Sequence, residues 1–251
     1  MNGELYDLCR LALHANKALA NGDVFEELDG TNYVLDRRFV FSEGFGNVHD
    51  EKSWYRISRR RGLKAVRLLM PVKVENRSIL GFPNTSRSYL VLFRTNGSVA
   101  CLVPHWEFDQ EHKGWHVTYR ENEWPDAPKG MPVFEDVTES FRQTLEDIRD
   151  LAEKLGEHQF ASWFQDALTI LEGTMPEGTK DLFPEGDPKY RGLINAAAKA
   201  DVFGAMGSWN DTPAGIAYEK GLKAEYDRLS DALLRDIRTA MMYAVSQSYT
   251  S

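Results

Sequence analysis

His105, Glu107, His112 and His116 are the densest group of potential metal ligands in the chain. On a strand, His105 and Glu107 point to one face, because side chains alternate with period two. A return strand would bring His116 back across a hairpin, with His112 near its turn. Two histidines and a carboxylate (His105, Glu107 and His116) suffice for a divalent metal. Yet the spacing matches no named site, and His-Trp-Glu facing Gly-Trp-His also suits exposed β pairing. The expectation is therefore no resident cofactor.

A second group is cationic. Arg56, Arg59, Arg60, Arg61, Lys64 and Arg67 follow one another with no acid between them. Such a block can grip phosphates or an acidic partner; a solvated helix face or a set of internal salt bridges is the plainer reading. A third group is acidic. Glu139, Asp147 and Asp150 stand among Glu135, Asp136, Glu146, Glu153 and Glu157, mostly off the apolar stripe of their helix. That pattern is a solvated face, and it is also what would meet a basic cleft on a toxin. No Gly-x-Ser-x-Gly elbow is present, and neither Cys9 nor Cys101 carries a local motif, so no catalytic residue is assigned.

Composition narrows the classes. The 251 residues carry a net charge of −8. An acidic chain is poorly suited to displacing counterions from nucleic acid. No apolar run approaches the roughly 20 residues of a membrane helix. Met1 to Arg10 lacks a basic-then-apolar leader, and two cysteines without a CxxC suit a reducing compartment. The expectation is a cytoplasmic protein with a protein partner.

These groups must be held by elements the pattern suggests. Leu5, Leu8, Ala12, Ala15 and Leu19 fall on one face of a helix that ends at Asn21-Gly22. Tyr33-Val-Leu and Arg38 to Phe41 read as short strands. Trp54, Ile57 and Arg61 allow a helix turn or two, and Pro71 demotes any central strand over 63–74. Tyr89 to Val103 is the clearest hairpin: Asn96-Gly97 suits a two-residue turn and pairs Phe93 with Ala100, Leu92 with Cys101 and Val91 with Leu102. Both arms are apolar on both faces, which places them mid-sheet. A second hairpin turns at Lys113-Gly114. The stretch from Trp124 to Pro132 has three prolines and a glycine and reads as a boundary. Beyond it the period is helical: a stripe from Phe141 to Leu155 capped by Thr138 and stopped by Gly156, a second from Phe160 to Leu171, a helix over 190–202, and one long helix after Thr212-Pro213.

Between the last two helices lies Phe203-Gly-Ala-Met-Gly-Ser-Trp-Asn-Asp211. It follows a helix and has no lysine, so it is no P-loop. It reads as a corner in which Gly204 and Gly207 take special backbone angles, Met206 and Trp209 pin the packing, and Ser208, Asn210 and Asp211 serve the next helix. This corner, with Ala161-Ser-Trp-Phe and Leu168-Thr-Ile-Leu-Glu-Gly173, resembles a small bacterial helical domain of unknown function, over residues 138 to 248. Its Met-Gly-Ser-x-Asn-Asp core is intact. Ala205 replaces the usual glycine, Thr174 to Pro188 looks like an insertion, and Thr212-Pro-Ala-Gly departs from the usual apolar continuation. The resemblance implies no activity; its members are similar to immunity-type proteins found beside toxin genes.

The sequence thus predicts an α+β chain: an α+β domain with a central antiparallel sheet and flanking helix over 1–124, a Pro/Gly linker over 125–137, and an all-α domain over 138–251. It predicts a non-catalytic protein-binding module of the immunity or antitoxin type. The alternative is a metal-dependent or nucleic-acid-handling enzyme that uses the Arg56 to Arg67 block and the His105/His116 group.

Overall fold

The structure, a computed structural model, describes residues 2–22, 24–28, 33–42, 44–204 and 206–249. The chain forms two compact units, each discontinuous in sequence. One gathers Glu4–Met70, Ser86–Val133 and Val245–Ser251; the other gathers Met1–Gly3, Pro71–Thr85 and Phe134–Ala244. Instead of one linear cut at 125–137, residues 71–85 join the helices, and the proline-rich stretch as far as Val133 stays with the sheet. Among the described residues no helix is long and apolar enough to cross a membrane.

The first unit carries a six-stranded sheet: β1 (Val34–Val40), β2 (Asn47–Val48), β3 (Leu63–Leu69), β4 (Tyr89–Arg94), β5 (Val99–Asp109) and β6 (Gly114–Glu123), in the order β2-β1-β6-β5-β4-β3. The expected antiparallel sheet is in fact mixed, because β1 and β6 run parallel. The two short runs expected at 33–41 are one continuous strand. β3 is an edge strand and stops before Pro71, as a residue without an N–H requires.

The hairpin of β4 and β5 is present one residue out of the expected register. Leu92 faces Ala100, Val91 faces Cys101 and Phe93 faces Val99. The loop is Thr95-Asn96-Gly97, closed by Arg94 N to Ser98 O (3.1 Å), with only Gly97 at positive φ (+85°). A three-residue loop with glycine in the left-handed position has replaced the two-residue turn. The slip re-sorts the pairs but leaves both faces apolar, so the strands remain central.

Two helices belong with this sheet, α1 (Gly3–Ala20) and α2 (Glu51–Arg60). The stripe expected on α1 understates its burial: Glu4, Asp7, Arg10, His14 and Asn16 are buried with the leucines and alanines. Each buried polar group therefore needs partners. Asp7 takes three bonds from Arg37 on β1 (2.6–3.1 Å) and one from the Tyr119 hydroxyl on β6 (2.6 Å). Asn16 accepts from Val66 N and donates to Val66 O, both at 3.0 Å, standing in for a strand partner on edge strand β3. Nine residues of helix rise ~13–14 Å, about the three inter-strand steps from β6 to β3. α2 begins at Asp50, whose carboxylate accepts from Ser53 N (2.6 Å). It is followed by Gly62 at φ +85°, where an added Cβ would lie 2.5 Å from Thr95 Oγ1. That turn sends the chain straight into β3.

The second unit holds α3 (Thr138–Leu155), α4 (His158–Leu171), α5 (Pro188–Ala200), α6 (Thr212–Glu219) and most of α7 (Lys223–Gln247), with a 3₁₀ turn at Arg77–Gly81. The expected stripe of α3 is buried throughout, and Gly156 ends the helix at φ +84°. Thr138 is the first helical residue and not the cap; the cap position is Val137, which makes no side-chain cap bond, while Asp136 accepts from Thr138 N and Oγ1. The single long last helix is two helices, broken at Gly221 (φ +72°); Tyr218, placed on its stripe, is exposed.

Trp209 is the hub of this unit. It is fully buried, meets Phe160 and Phe164 edge-on at 5.3 and 5.4 Å, and stacks on Tyr226 at 5.4 Å. Its Nε1 donates to Ser230 Oγ at 2.8 Å. Around it the corner closes on itself. Gly207 N donates to Asp211 Oδ2 (2.9 Å), Ser208 Oγ to Gly204 O (2.9 Å), and Asn210 Nδ2 to Arg77 O (3.0 Å), which ties in the 71–85 segment. Gly207 has positive φ (+79°); Gly204 does not. Met206, expected to pin the corner, is 94% exposed, and Ala205 lies outside the described residues. Trp209→Ala should cost about 3–5 kcal/mol by cavity formation, and Gly207→Val about 1–2 kcal/mol through its left-handed backbone alone. Urea denaturation of both variants measures the two losses, and Trp209→Ala should be clearly the larger.

Candidate functional site

The basic block divides into parts with different fates. Lys52, Arg56 and Arg60 recur at i, i+4 and i+8 along α2 and are exposed, with Arg59 half-buried beside them. With Val24, Phe25 and Tyr55 they line a cleft of about 520 Å³. Phe25 and Tyr55 are buried and stacked, their ring centroids 5.1 Å apart. Arg59 is steered by a bond from Nη1 to Leu63 O (3.1 Å), and Arg56 reaches Ser53 Oγ at 3.4 Å. Lys52, Arg56 and Arg60 have no carboxylate partner among the described residues. The result is an open cleft with an aromatic floor and a cationic wall. It can hold an anionic group beside an apolar one.

Arg61 points elsewhere. Its guanidinium lies 2.6 Å from Glu121 and 3.5 Å from Glu123, and sits over the rings of Phe45 and Phe41. Arg94 completes this network, with Nη1 at 3.0 Å from Glu123 and Nη2 at 3.0 Å from Glu121. Glu121 Oε2 is buried without a donor. Two arginines and two glutamates sum to zero, so Arg61 has no charge left for a partner. Partial burial alone would raise the Glu123 carboxyl. The Ser42 and Arg94 hydrogen bonds and both arginine charges overcome this and hold it below the usual range. Arg67 is buried, and desolvation pushes its guanidinium down. Lys64 is exposed on β3, at a bulge between the Leu63 and Ala65 pairs.

The expected metal set is not assembled. Glu107 does stand opposite His116, with His105 two residues along the same strand. But the His116 ring turns away from both. Its Nδ1 bonds Asp36 of β1, and its Nε2 lies 3.2 Å from Asp109, which also takes His112 Nδ1 at 2.9 Å. Among the described residues no group of three or more His, Cys, Asp and Glu side chains could hold a metal ion. The His116 ring instead bridges two carboxylates, which requires both nitrogens to donate and so favours the imidazolium. Asp36, then Asp109, raise its pKa above the ordinary histidine value. Asp109 is held far below the carboxylate range, chiefly by His112.

The acids of α3 are engaged within their own helix: Glu139 with Arg142 (3.2 Å), Asp147 with Gln143 (3.0 Å) and Asp150 with Arg149 (2.9 Å). They belong to the helical unit, not to the α2 cleft. Gly204, Met206, Gly207, Ser208, Asn210 and Asp211 lie in that unit too, as the corner already described.

No family model, curated protein or solved structure matches this chain. The site is therefore read from its own geometry. The sequence pointed to Arg56, Arg59 and Arg60 by their charge. It missed Lys52, which the helical period from Arg56 and Arg60 would have added, and the Phe25–Tyr55 floor, which depends on a segment outside the helix.

The His116 bridge has a testable sign. A histidine whose folded pKa is raised contributes stability below its unfolded pKa, about 6.5, and loses it as pH rises through the folded value. The facing groups are Asp36 on β1, Asp109 and Glu107 on β5, and His112 in the turn. The melting temperature gap between the native chain and His116→Gln should thus be larger at pH 5.5 than at pH 8.5. Thermal scans at the two pH values read the difference directly.

Proposed function

We propose that the chain is a non-catalytic binding module that docks a protein partner through the α2 cleft. The observation that carries this is the row of Lys52, Arg56 and Arg60, without carboxylate partners among the described residues, above the Phe25–Tyr55 floor. Unpaired cations beside an aromatic floor favour an acidic segment that bears an apolar side chain. Acidic groups meet the arginines as charge-assisted pairs, while the apolar side chain enters the cleft over its aromatic floor. In a chain of net charge −8, this basic surface is a local exception that would give register and specificity.

We read the chain as an immunity- or antitoxin-type protein of a bacterial cytoplasm, and its partner as a toxin encoded by a neighbouring gene. On that reading the helices after residue 137 are the all-α part of an α+β chain, akin to the small bacterial helical domain whose corner sequence they share. A second reading has one observation in its favour: stacked aromatics beside arginines also suit the bases and phosphates of a single strand. The overall acidic charge weighs against it.

Co-expression with the neighbouring gene product should yield a stable one-to-one complex by light scattering and protect cells from that product. Lys52→Glu/Arg56→Glu/Arg60→Glu reverses three cleft charges at ~1 kcal/mol each and should weaken the complex roughly 100-fold. No complex, or a complex indifferent to the reversal, refutes the reading. Salt-dependent binding of a labelled single-stranded oligonucleotide, lost in the same variant, would instead support the second one.

A further inference from the structure

A second cavity lies in the sheet unit, and of the basic block only Lys64 reaches it. It has a volume of about 640 Å³, within the range of sites for small organic ligands. Its floor is Phe93 and Val99 on β4 and β5. Its far wall is the strap Trp124 to Met131, the stretch that looks in sequence like a plain linker. The strap is anchored where Trp124 N donates to Val99 O (2.9 Å), and it turns where Ala127 N meets Trp124 O (3.2 Å). Phe93 belongs to a buried cluster with Ala65 and Val91, against which Trp124 packs. Pro125 and Pro128 restrict the strap's backbone, so this wall needs little ordering when a ligand arrives.

The charges around the cavity decide what it suits. Arg94 is only 6% exposed and is already paired with Glu123 and Glu121. Glu123 also accepts from Ser42 at 2.8 Å. Lys64 and Lys129 have no acidic partner among the described residues. Lys64 sits at the β-bulge of β3, an irregularity that re-aims a side chain, and it lines the cavity together with Phe93. The lining thus offers two unneutralised cations over an apolar, partly aromatic floor.

We propose that this cavity binds a small organic anion with a flat aromatic body, seated against the apolar surface that Phe93, Val99 and Trp124 line, with its charge toward Lys64 and Lys129. This site is separate from the α2 cleft, and it stands whether or not a protein docks there.

Anilinonaphthalene sulfonate is the probe, titrated by calorimetry into the full chain. It should bind saturably at one site and be displaced by naphthoate, with neutral naphthol at least tenfold weaker. Lys64→Glu/Lys129→Glu should weaken the probe by tenfold or more, and Val99→Trp, which fills the cavity, should abolish saturable binding. Arg56→Glu/Arg60→Glu should leave it intact. Both lysines are exposed, so the charge reversal spares the core, and circular dichroism of each variant confirms that it folds. Any of four results overturns the proposal: no saturable binding, equal binding of naphthol and naphthoate, binding unchanged in both cavity variants, or binding lost only in the Arg56/Arg60 variant.

Discussion

Asp7 is a carboxylate in the second turn of a helix that is buried on nearly every side, and the sheet unit is arranged to keep it paired. Arg37 from β1 and the Tyr119 hydroxyl from β6 converge on it, and Glu51 at the start of α2 takes the other face of the same guanidinium at 3.0 Å. Burial alone would lower the Arg37 pKa, but its bonds to Asp7 and the charges of Asp7 and Glu51 raise it above the ordinary value. The Tyr119 hydroxyl is pushed well up by burial and by the same carboxylate. An unpaired charge at this depth would cost several kcal/mol, so β1, β6, α1 and α2 are mutually dependent. Tyr119, Phe39 and Trp54 stack in sequence beside this network at 5.0 and 5.3 Å and seal it from water.

That constraint also explains where charge is available. The network around Asp7 consumes Arg37 and Glu51, and the network around Glu121 consumes Arg61 and Arg94. Between residues 52 and 64, what remains cationic is set by which side chains the helix period and the β-bulge turn outward: Lys52, Arg56 and Arg60 on α2, and Lys64 on β3. A block that looks continuous in sequence is split by the fold: Arg61 enters an internal network, Arg67 is buried, Arg56, Arg59 and Arg60 line a solvent-facing cleft, and Lys64 lines a separate cavity. The helical unit has its own hub in Trp209, where four aromatic rings and the Arg77 carbonyl meet the corner.

Much of the local structure was legible, because it depends on neighbours in the chain. The helix ends at Gly156 and Gly22 and the central place of the β4–β5 hairpin follow from backbone freedom and apolar pattern. The errors share a different cause. Asn96-Gly97 is compatible with both a two-residue and a three-residue loop, and only packing on both faces of the sheet selects between them. Val34 to Val40 looks broken because its polar residues, Asp36 and Arg37, answer partners some 80 and 30 positions away. Met206 is apolar, which favours the interior, yet the corner closes through Trp209 and its own hydrogen bonds and leaves the methionine outside.

By itself the sequence determined the first helix, the strand character of the two hairpins, the acidic balance, the run of arginines and the helical character of the second half. These rest on short-range periodicity, capping and composition, which act within a few residues. The tertiary structure alone decided that β1 lies parallel to β6, that residues 71–85 join the helices and that the proline-rich strap walls a cavity. It also decided which arginines face solvent. A charge is free or spent according to the distance of a counter-charge, and the counter-charges of Arg61 lie 60 and 62 residues away in the chain.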